Sequence, residues 1–352
     1  MKTLLRKALA GTRTGLLHGI KRMGGLRGFA GGRWRRERLM ILCYHGVSLA
    51  DEHVWNPELF VSPQFLASRF ELLKRGGFNV LPLAEAAQRL RAGSLPERSV
   101  VITFDDGFYD FQAAALPVIE SHGFPTTVYL STYFCVNQRP ISGLCIDYLL
   151  WKSRDRPLPE GLVPASMASL DMGVKLERRR VVRHLLEEVS SRFVDNRQQT
   201  QWIEQLSQRL AIDWPAFMKQ RLLHLMTETE VADVARRGVD VQLHTHRHRT
   251  PRDAASFKRE IVENRDIIQS ITGMQPRHFC YPSGVVEPSF LPWLRESAVD
   301  TATTCETRLA QADDDPLLLP RFVDTLAQPQ IAFEGWLSGL SQFMARGGTA
   351  PH

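Results

Sequence analysis

The chain has 352 residues, 43% of them apolar and 23% charged, and a formal net charge of +6. That length and balance exclude a disordered chain and allow one large α/β domain or two smaller ones. Residues 1–36 hold ten Lys and Arg and no acid, more than the whole excess, so the remainder is net acidic and no nucleic-acid partner is expected.

The basic segment 1–38 reads as a leader. It is too charged to supply the apolar core of a signal peptide, and no later stretch approaches the roughly 20 apolar residues of a spanning helix. The cytoplasm is therefore the expected location, with peripheral contact at the inner membrane. Leu4, Leu5, Ala8 and Leu9, then Leu16, Leu17, Ile20 and Met23, recur at helical spacing among the cations. That spacing suits a helix lying on an anionic membrane surface. Gly24, Gly25, Gly28, Gly31 and Gly32 leave a disordered basic leader as the alternative.

From residue 39 short apolar runs alternate with helical patterns. LMILCY (39–44) predicts a buried strand, and Ser62 followed by Pro63 predicts the start of a helix over 63–74. FNVLPL (78–83) reads as a strand, 83–93 as a helix closed by glycine, SVVITF (99–104) as a strand, 111–122 as a helix and TTVYLS (126–131) as a strand. Between 135 and 225 the rhythm changes to amphipathic helices without strands, which predicts a helical insertion over or beside a site. Alternation resumes with a helix at 227–238, where Thr227 and Glu230 form a capping box. VDVQL (239–243) follows, then a helix at 255–271, HFCYP (278–282), a helix at 287–297, DTATTC (300–305) and LLLPRF (317–322). A helix over 328–344 ends the pattern. The expected fold is α/β, a distorted (β/α)7 TIM-like barrel over 39–327 with the insertion, followed by a C-terminal helix and tail at 328–352.

Five cysteines without a C-x-x-C pair argue against a disulfide framework or a cysteine zinc site. The chemistry gathers instead where such barrels place reactive groups, at the carboxyl ends of strands. His45 ends the first strand, Asp105 and Asp106 the third, His244 the strand VDVQL, and Ser283 follows HFCYP. Two adjacent carboxylates at the end of a buried strand repel one another, and burial raises the cost of ionising either. A metal ion offsets that cost. HTHRH (244–248) supplies His244 and His248, which with a single carboxylate make a two-histidine, one-carboxylate set. The second carboxylate then stays free as a base. Spacing alone does not assign the two aspartates.

TFDDG, the H-[ST]-x-x-H pattern met by HTHRH, and FCYPSG, in this order, resemble the polysaccharide deacetylase family, the NodB-homology or family-4 carbohydrate esterases. The resemblance runs from about 39 to 324 and is weak over 135–225. It implies Asp105 as the general base and Asp106, His244 and His248 as ligands of a divalent metal, zinc first with cobalt or nickel as alternatives; His246 is a neighbour. FCYPSG departs from the family's usual R-P-P-Y-G, with Cys280 where the arginine would fall, so Arg321 and Asp324 are read as a substitute pair orienting Asp105. Ser283 would offer its backbone N–H to the oxyanion. The family's late histidine is missing, and the early Y-H motif of some relatives points to His45 as the acid.

The implied activity is removal of N-acetyl groups from amino sugars of a bacterial exopolysaccharide or a lipid-linked glycan precursor. A metal-dependent amidase or deformylase on another small N-acyl substrate is one alternative, and an inactive carbohydrate-binding relative is another. Trp151, Trp202 or Trp214 lining an open groove would favour a glycan.

Overall fold

The computed structural model describes residues 13–193 and 195–344. Leu4, Leu5, Ala8 and Leu9 of the leader and the terminal His352 lie outside the described residues.

Six parallel strands stand side by side in chain order: β1 (Arg38–Tyr44), β2 (Ser99–Phe104), β3 (Thr127–Leu130), β4 (Asp240–Leu243), β5 (His278–Cys280) and β6 (Thr301–Thr303). Met40 to Tyr44 pair in register with Val100 to Phe104, so the first two strands share one level at their carboxyl ends. From Leu39 onward β1 is buried, as is all of β2. Both faces are covered, which is why these runs read as continuous rather than alternating apolar sequence.

Closure comes from a seventh segment. Leu319 bridges Thr303 of β6, and β7 (Phe322–Val323) pairs in parallel with Leu42 and Cys43 of β1. The seam is thus a bent piece of chain that touches the last strand and then the first. The result is the distorted seven-stranded barrel that the sequence pattern implies.

Local chemistry explains the outer helices. Ser62 Oγ accepts from Phe65 N at 3.1 Å at the head of helix Pro63–Arg75. Thr227 and Glu230 form the reciprocal capping box at the head of helix Glu228–Arg236. Three expectations shorten. FNVLPL yields only the two-residue strand Asn79–Val80, because Pro82 offers no N–H to a ladder and instead opens helix Leu83–Arg91. LLLPRF forms a single 3-10 turn at Pro316–Leu318 before β7. The helix expected over 328–344 is split into Gln330–Ser338 and Leu340–Met344 by Gly339. That glycine is left-handed at φ +85, and a Cβ there would lie 2.6 Å from the Trp34 ring.

Helices Ser142–Lys152, Lys175–Arg192, Asn196–Arg209 and Trp214–Gln220 build a core of their own, which joins the barrel through Trp55, Phe60 and Phe108. Phe108 stands two residues after Asp106. Trp151 and Trp214 are buried in this second core and Trp202 packs against it, so none of the three lines an open groove. Their spacing shows an apolar face, and that face is satisfied by neighbouring helices.

A further difference concerns the leader. Residues 13–22 are helical, followed by helices Gly25–Gly31 and Arg33–Arg36. Leu17 and Leu26 pack with Ile331 and Leu340, and Lys21 pairs with Glu334 at 2.6 Å. Residues 13–36 and helices Gln330–Ser338 and Leu340–Met344 thus form one layer. Helical spacing reveals an amphipathic face in sequence but not the surface that covers it. No helix among the described residues is long and apolar enough to cross a membrane.

Candidate active site

Asp105 and Asp106 begin the turn after β2. Asp105 N donates to Tyr44 O at 2.9 Å, and Ser131 N donates to Asp106 O at 3.1 Å, so the turn is tied to both neighbouring strands. Asp106 is left-handed at φ 73 and Gly107 at φ +84. Only glycine fits after the pair, because a Cβ on Gly107 would lie 2.3 Å from Leu130 Cδ1. Thr245, His248 and Ser283, all on the same rim, also have positive φ. Such strained backbone collects where geometry serves chemistry.

The two carboxylates meet different partners. Arg321, fully buried, donates Nη1 to Asp105 Oδ1 and Nη2 to Asp105 Oδ2, each at 2.7 Å. The same guanidinium donates to Thr304 O at 3.1 Å, Thr103 Oγ1 at 3.2 Å and Cys280 Sγ at 3.0 Å. Thiols surround the pair: Cys280 Sγ lies 3.3 Å and Cys43 Sγ 3.6 Å from Asp105 Oδ2. Burial works against the Asp105 charge, but Arg321 outweighs it and holds the carboxyl well below the ordinary range.

Asp106 has no arginine. Its Oδ1 is buried without a hydrogen-bond partner, yet His244 Nε2 and His248 Nε2 each lie 3.2 Å from it. The His244 ring is oriented from behind, its Nδ1 donating to Cys280 O at 2.9 Å, which leaves Nε2 free to ligate. One oxygen of Asp106 and a nitrogen of each histidine lie within 4.8 Å of one another. Burial pushes the His248 ring down, but the Asp106 carboxylate outweighs it and draws the ring upward, so this corner favours positive charge. An orphaned carboxylate oxygen faced by two imidazoles fits a divalent, zinc-like ion.

Two other sets are as compact, Cys43–His45–Asp105 and Asp105–His244–Cys280. Both depend on Asp105, whose two oxygens already face a cation. The arginine thus faces Asp105 alone, and Asp106 faces the two histidines.

His45, after β1, brings Nε2 to 3.8 Å from Asp105 Oδ2 and keeps 21% of its side chain exposed. Burial draws its pKa down, against the pull of Asp105 and Asp106. Ser283 is exposed, and its N–H is donated to no carbonyl among the described residues. Asp324 departs from expectation. Its carboxylate accepts from Arg69 Nε at 2.9 Å and Tyr44 Oη at 3.0 Å rather than joining Arg321. Only Arg321 of the expected pair reaches Asp105, because the chain reverses its facing between 321 and 324 across the seam.

Residues 197–301 match the family model described as polysaccharide deacetylase. The poly-β-1,6-N-acetyl-D-glucosamine N-deacetylase of Escherichia coli (strain K12) is 28% identical over 93 residues, which are 26% of this chain and 14% of that protein. Over these residues the chain is similar to the polysaccharide deacetylase family. The matched part is thus a small share of that relative's length. Among solved structures, the Streptococcus pyogenes deacetylase PplD in complex with acetate superposes with a TM-score of 0.57 at 16% identity, covering 85% of this chain and 98% of that one. IcaB from Ammonifex degensii gives 0.54 at 16% identity, covering 86% and 97%. At such identity the likeness is one of fold.

Within this family frame, several supporting residues escaped the sequence reading. Asn264, on helix Ala254–Thr272, accepts from His244 N at 2.9 Å and donates to Leu130 O at 2.9 Å. Glu260, on the same helix, receives Arg247 N at 2.7 Å and Arg249 Nε at 2.7 Å, fixing the loop that carries His248. His246 turns outward, its Nδ1 2.8 Å from Thr132 Oγ1, and stands outside the ligand trio. A polar residue at four-residue spacing on an otherwise apolar helix face was the available signal.

Proposed function

We propose that this chain is a metal-dependent N-deacetylase acting on amino sugars of an N-acetylated glycan of the exopolysaccharide kind. The observation that carries the reading is the division of the two aspartates, one claimed by Arg321 and the other facing two imidazoles. The name of the E. coli relative supports the substrate class.

Asp106, His244 and His248 would hold the ion, zinc first and cobalt or nickel as alternatives. Such an ion, when bound, polarises the acetyl carbonyl and makes a neighbouring water more acidic. Asp105 accepts the proton of the attacking water, and Arg321 keeps that carboxylate anionic and aimed. The Ser283 N–H is the donor offered to the developing oxyanion. As the carbon–oxygen bond forms and the carbon–nitrogen bond breaks, His45 delivers a proton to the departing amine. Acetate and a free amino sugar result.

Burial of Trp151 and Trp214 removes the aromatic platform that the sequence suggested. That observation favours a second reading, a metal-dependent amidase on another small N-acyl group. The deciding experiment measures metal content and acetate release for the full chain beside Asp106→Ala and His248→Ala, with N-acetylglucosamine oligomers as substrate. The expected result is about one zinc-like ion per chain, lost in both variants together with acetate release. Undiminished metal in Asp106→Ala would sink the assignment, and metal binding without acetate release from any oligomer would pass the site to the second reading.

A further inference from the structure

The layer built from both chain ends lies at the pole opposite the rim just described. Arg35, wholly buried, donates Nη2 to Ser99 O at 3.1 Å and Nη1 to Arg38 O at 2.6 Å, the first residues of β2 and β1. Its Nε reaches Leu337 O at 2.9 Å, and Arg36 pairs with Glu97 at 2.9 Å. These contacts fasten the layer to the amino ends of the strands. The reactive residues follow the carboxyl ends. Seven residues of β1 at about 3.3 Å each put the two poles on the order of 20 Å apart.

This layer leaves large apolar side chains exposed. Leu16 is 54% exposed, Met23 80%, Phe29 44% and Phe343 55%, and these include both strongly exposed phenylalanines among the described residues. Phe29, Trp34 and Phe343 wall an open apolar groove of about 500 Å³, floored by Gly25, Gly28 and Gly32. Trp34 and Phe343 have ring centroids 4.6 Å apart. Arg33 lines the groove, and Arg22, Arg27 and Arg36 are exposed on the same stretch of chain. Arg33 and Arg36 share their charge with Glu37 and Glu97, whereas Arg22 and Arg27 have no carboxylate partner among the described residues. Residues 13–36 contain no acid.

We infer that this composite face is a docking surface for an anionic phospholipid membrane, with the catalytic rim held away from the bilayer. Exposed aromatic and aliphatic side chains on a segment rich in exposed arginine match the interfacial region of a lipid surface, where apolar groups enter the acyl boundary and cations meet headgroup phosphates. A protein partner at this face would have to supply its own acids for Arg22 and Arg27, whereas an anionic bilayer supplies them everywhere. The orientation has a consequence for substrate, which rests on the deacetylase reading. A short sugar on a lipid in the same membrane cannot reach the rim, so the enzyme acts on glycan that extends at least a barrel's length from the bilayer.

The test floats the full chain on vesicles of phosphatidylcholine alone and of an equal mixture with phosphatidylglycerol. Wild type should bind the mixed vesicles, lose affinity as salt rises, and ignore the neutral ones. Each cation near an anionic surface is worth about fivefold, so R22E/R27E should bind at least about 25-fold more weakly. M23S/F29S/F343S should fail to bind even at low salt. Melting temperatures within about 2 °C of wild type would show both variants folded. Equal binding to both vesicle types, or variants that bind like wild type, overturns the proposal. So does a dimer in solution that M23S/F29S/F343S dissociates, which would give the groove to a second copy. For the orientation, vesicle-bound enzyme should release acetate from a free N-acetylglucosamine oligomer about tenfold faster than from the same sugar anchored on lipid. Equal rates overturn the orientation. If neither sugar is turned over, the deacetylase reading fails while flotation still decides the docking surface.

Discussion

Arg321 at one end of the barrel and Arg35 at the other are both fully buried, and both bind several partners. Arg35 faces carbonyl oxygens alone, which fixes two strand starts and a helix end to one another. Arg321 faces a carboxylate, a thiol and a hydroxyl beside an open rim. The first arrangement closes off backbone acceptors and offers nothing that can change protonation. The second sets the ionisation of a neighbour. A buried cation thus speaks of stability or of chemistry according to whether its partner can exchange a proton with the site.

Three substitutions test that contrast. The largest effect belongs to Arg321→Met, which should lower kcat about 10²- to 10³-fold. With the arginine gone, burial is opposed only by His45 and His244, so the Asp105 pKa should rise and the acid limb of the pH–rate profile should move to higher pH. The sign for stability follows from the same depression. In the wild type, Asp105 stabilises the fold above the ordinary carboxylate range, and this is lost as pH falls below about 4; Arg321→Met should lack that acid-side loss. Lysine at 321 should restore part of the pH profile. A change in melting temperature with an unmoved profile would make Arg321 merely another Arg35.

Next, Arg35→Met leaves two buried carbonyls and one half-buried one without their donor and should cost about 3 kcal/mol in urea denaturation. Its pH–rate profile should coincide with wild type. A shifted profile would mean the two poles are coupled, and the contrast would collapse.

The smallest effect is expected at Asn264, which touches the backbone of a ligand and not the ion. Asn264→Ala should weaken metal affinity about tenfold in a chelator competition, with the metal-saturated rate near wild type. Affinity equal to that of the wild type would show that Cys280 O and Ser131 Oγ, which donates to His244 O at 3.0 Å, suffice to hold His244.

Much of this was legible because it is local. TFDDG carries its turn glycine and its paired acids together, and HTHRH brings two imidazoles to one loop, so strand ends and ligand types could be read directly. Arg321 could be named, but not its distance from Asp105, 216 positions earlier, because only closure of the barrel brings them together. The thiols of Cys43 and Cys280 looked like small core residues, and in sequence they are indistinguishable from that. Asp324 misled for a related reason, since three residues along the seam turn a side chain from the inside of the barrel to its outer packing against Arg69. The apolar spacing of the leader was visible, whereas its seat on helix Gln330–Ser338 was not. Periodicity reports that a face exists, and the fold alone says what meets it.

The seam at 319–323 also gives the molecule a sense of time. Arg321 belongs to the last segment of the barrel in chain order, while Asp105 follows the second strand. A chain emerging from its amino end carries the carboxylate for more than two hundred residues before the counter-charge exists, and an ionised acid in that interior is costly while it stands alone. Final closure and the pairing of Asp105 with Arg321 are one event. Turnover of substrate would report not that most of the barrel has formed, but that its last stave has been set.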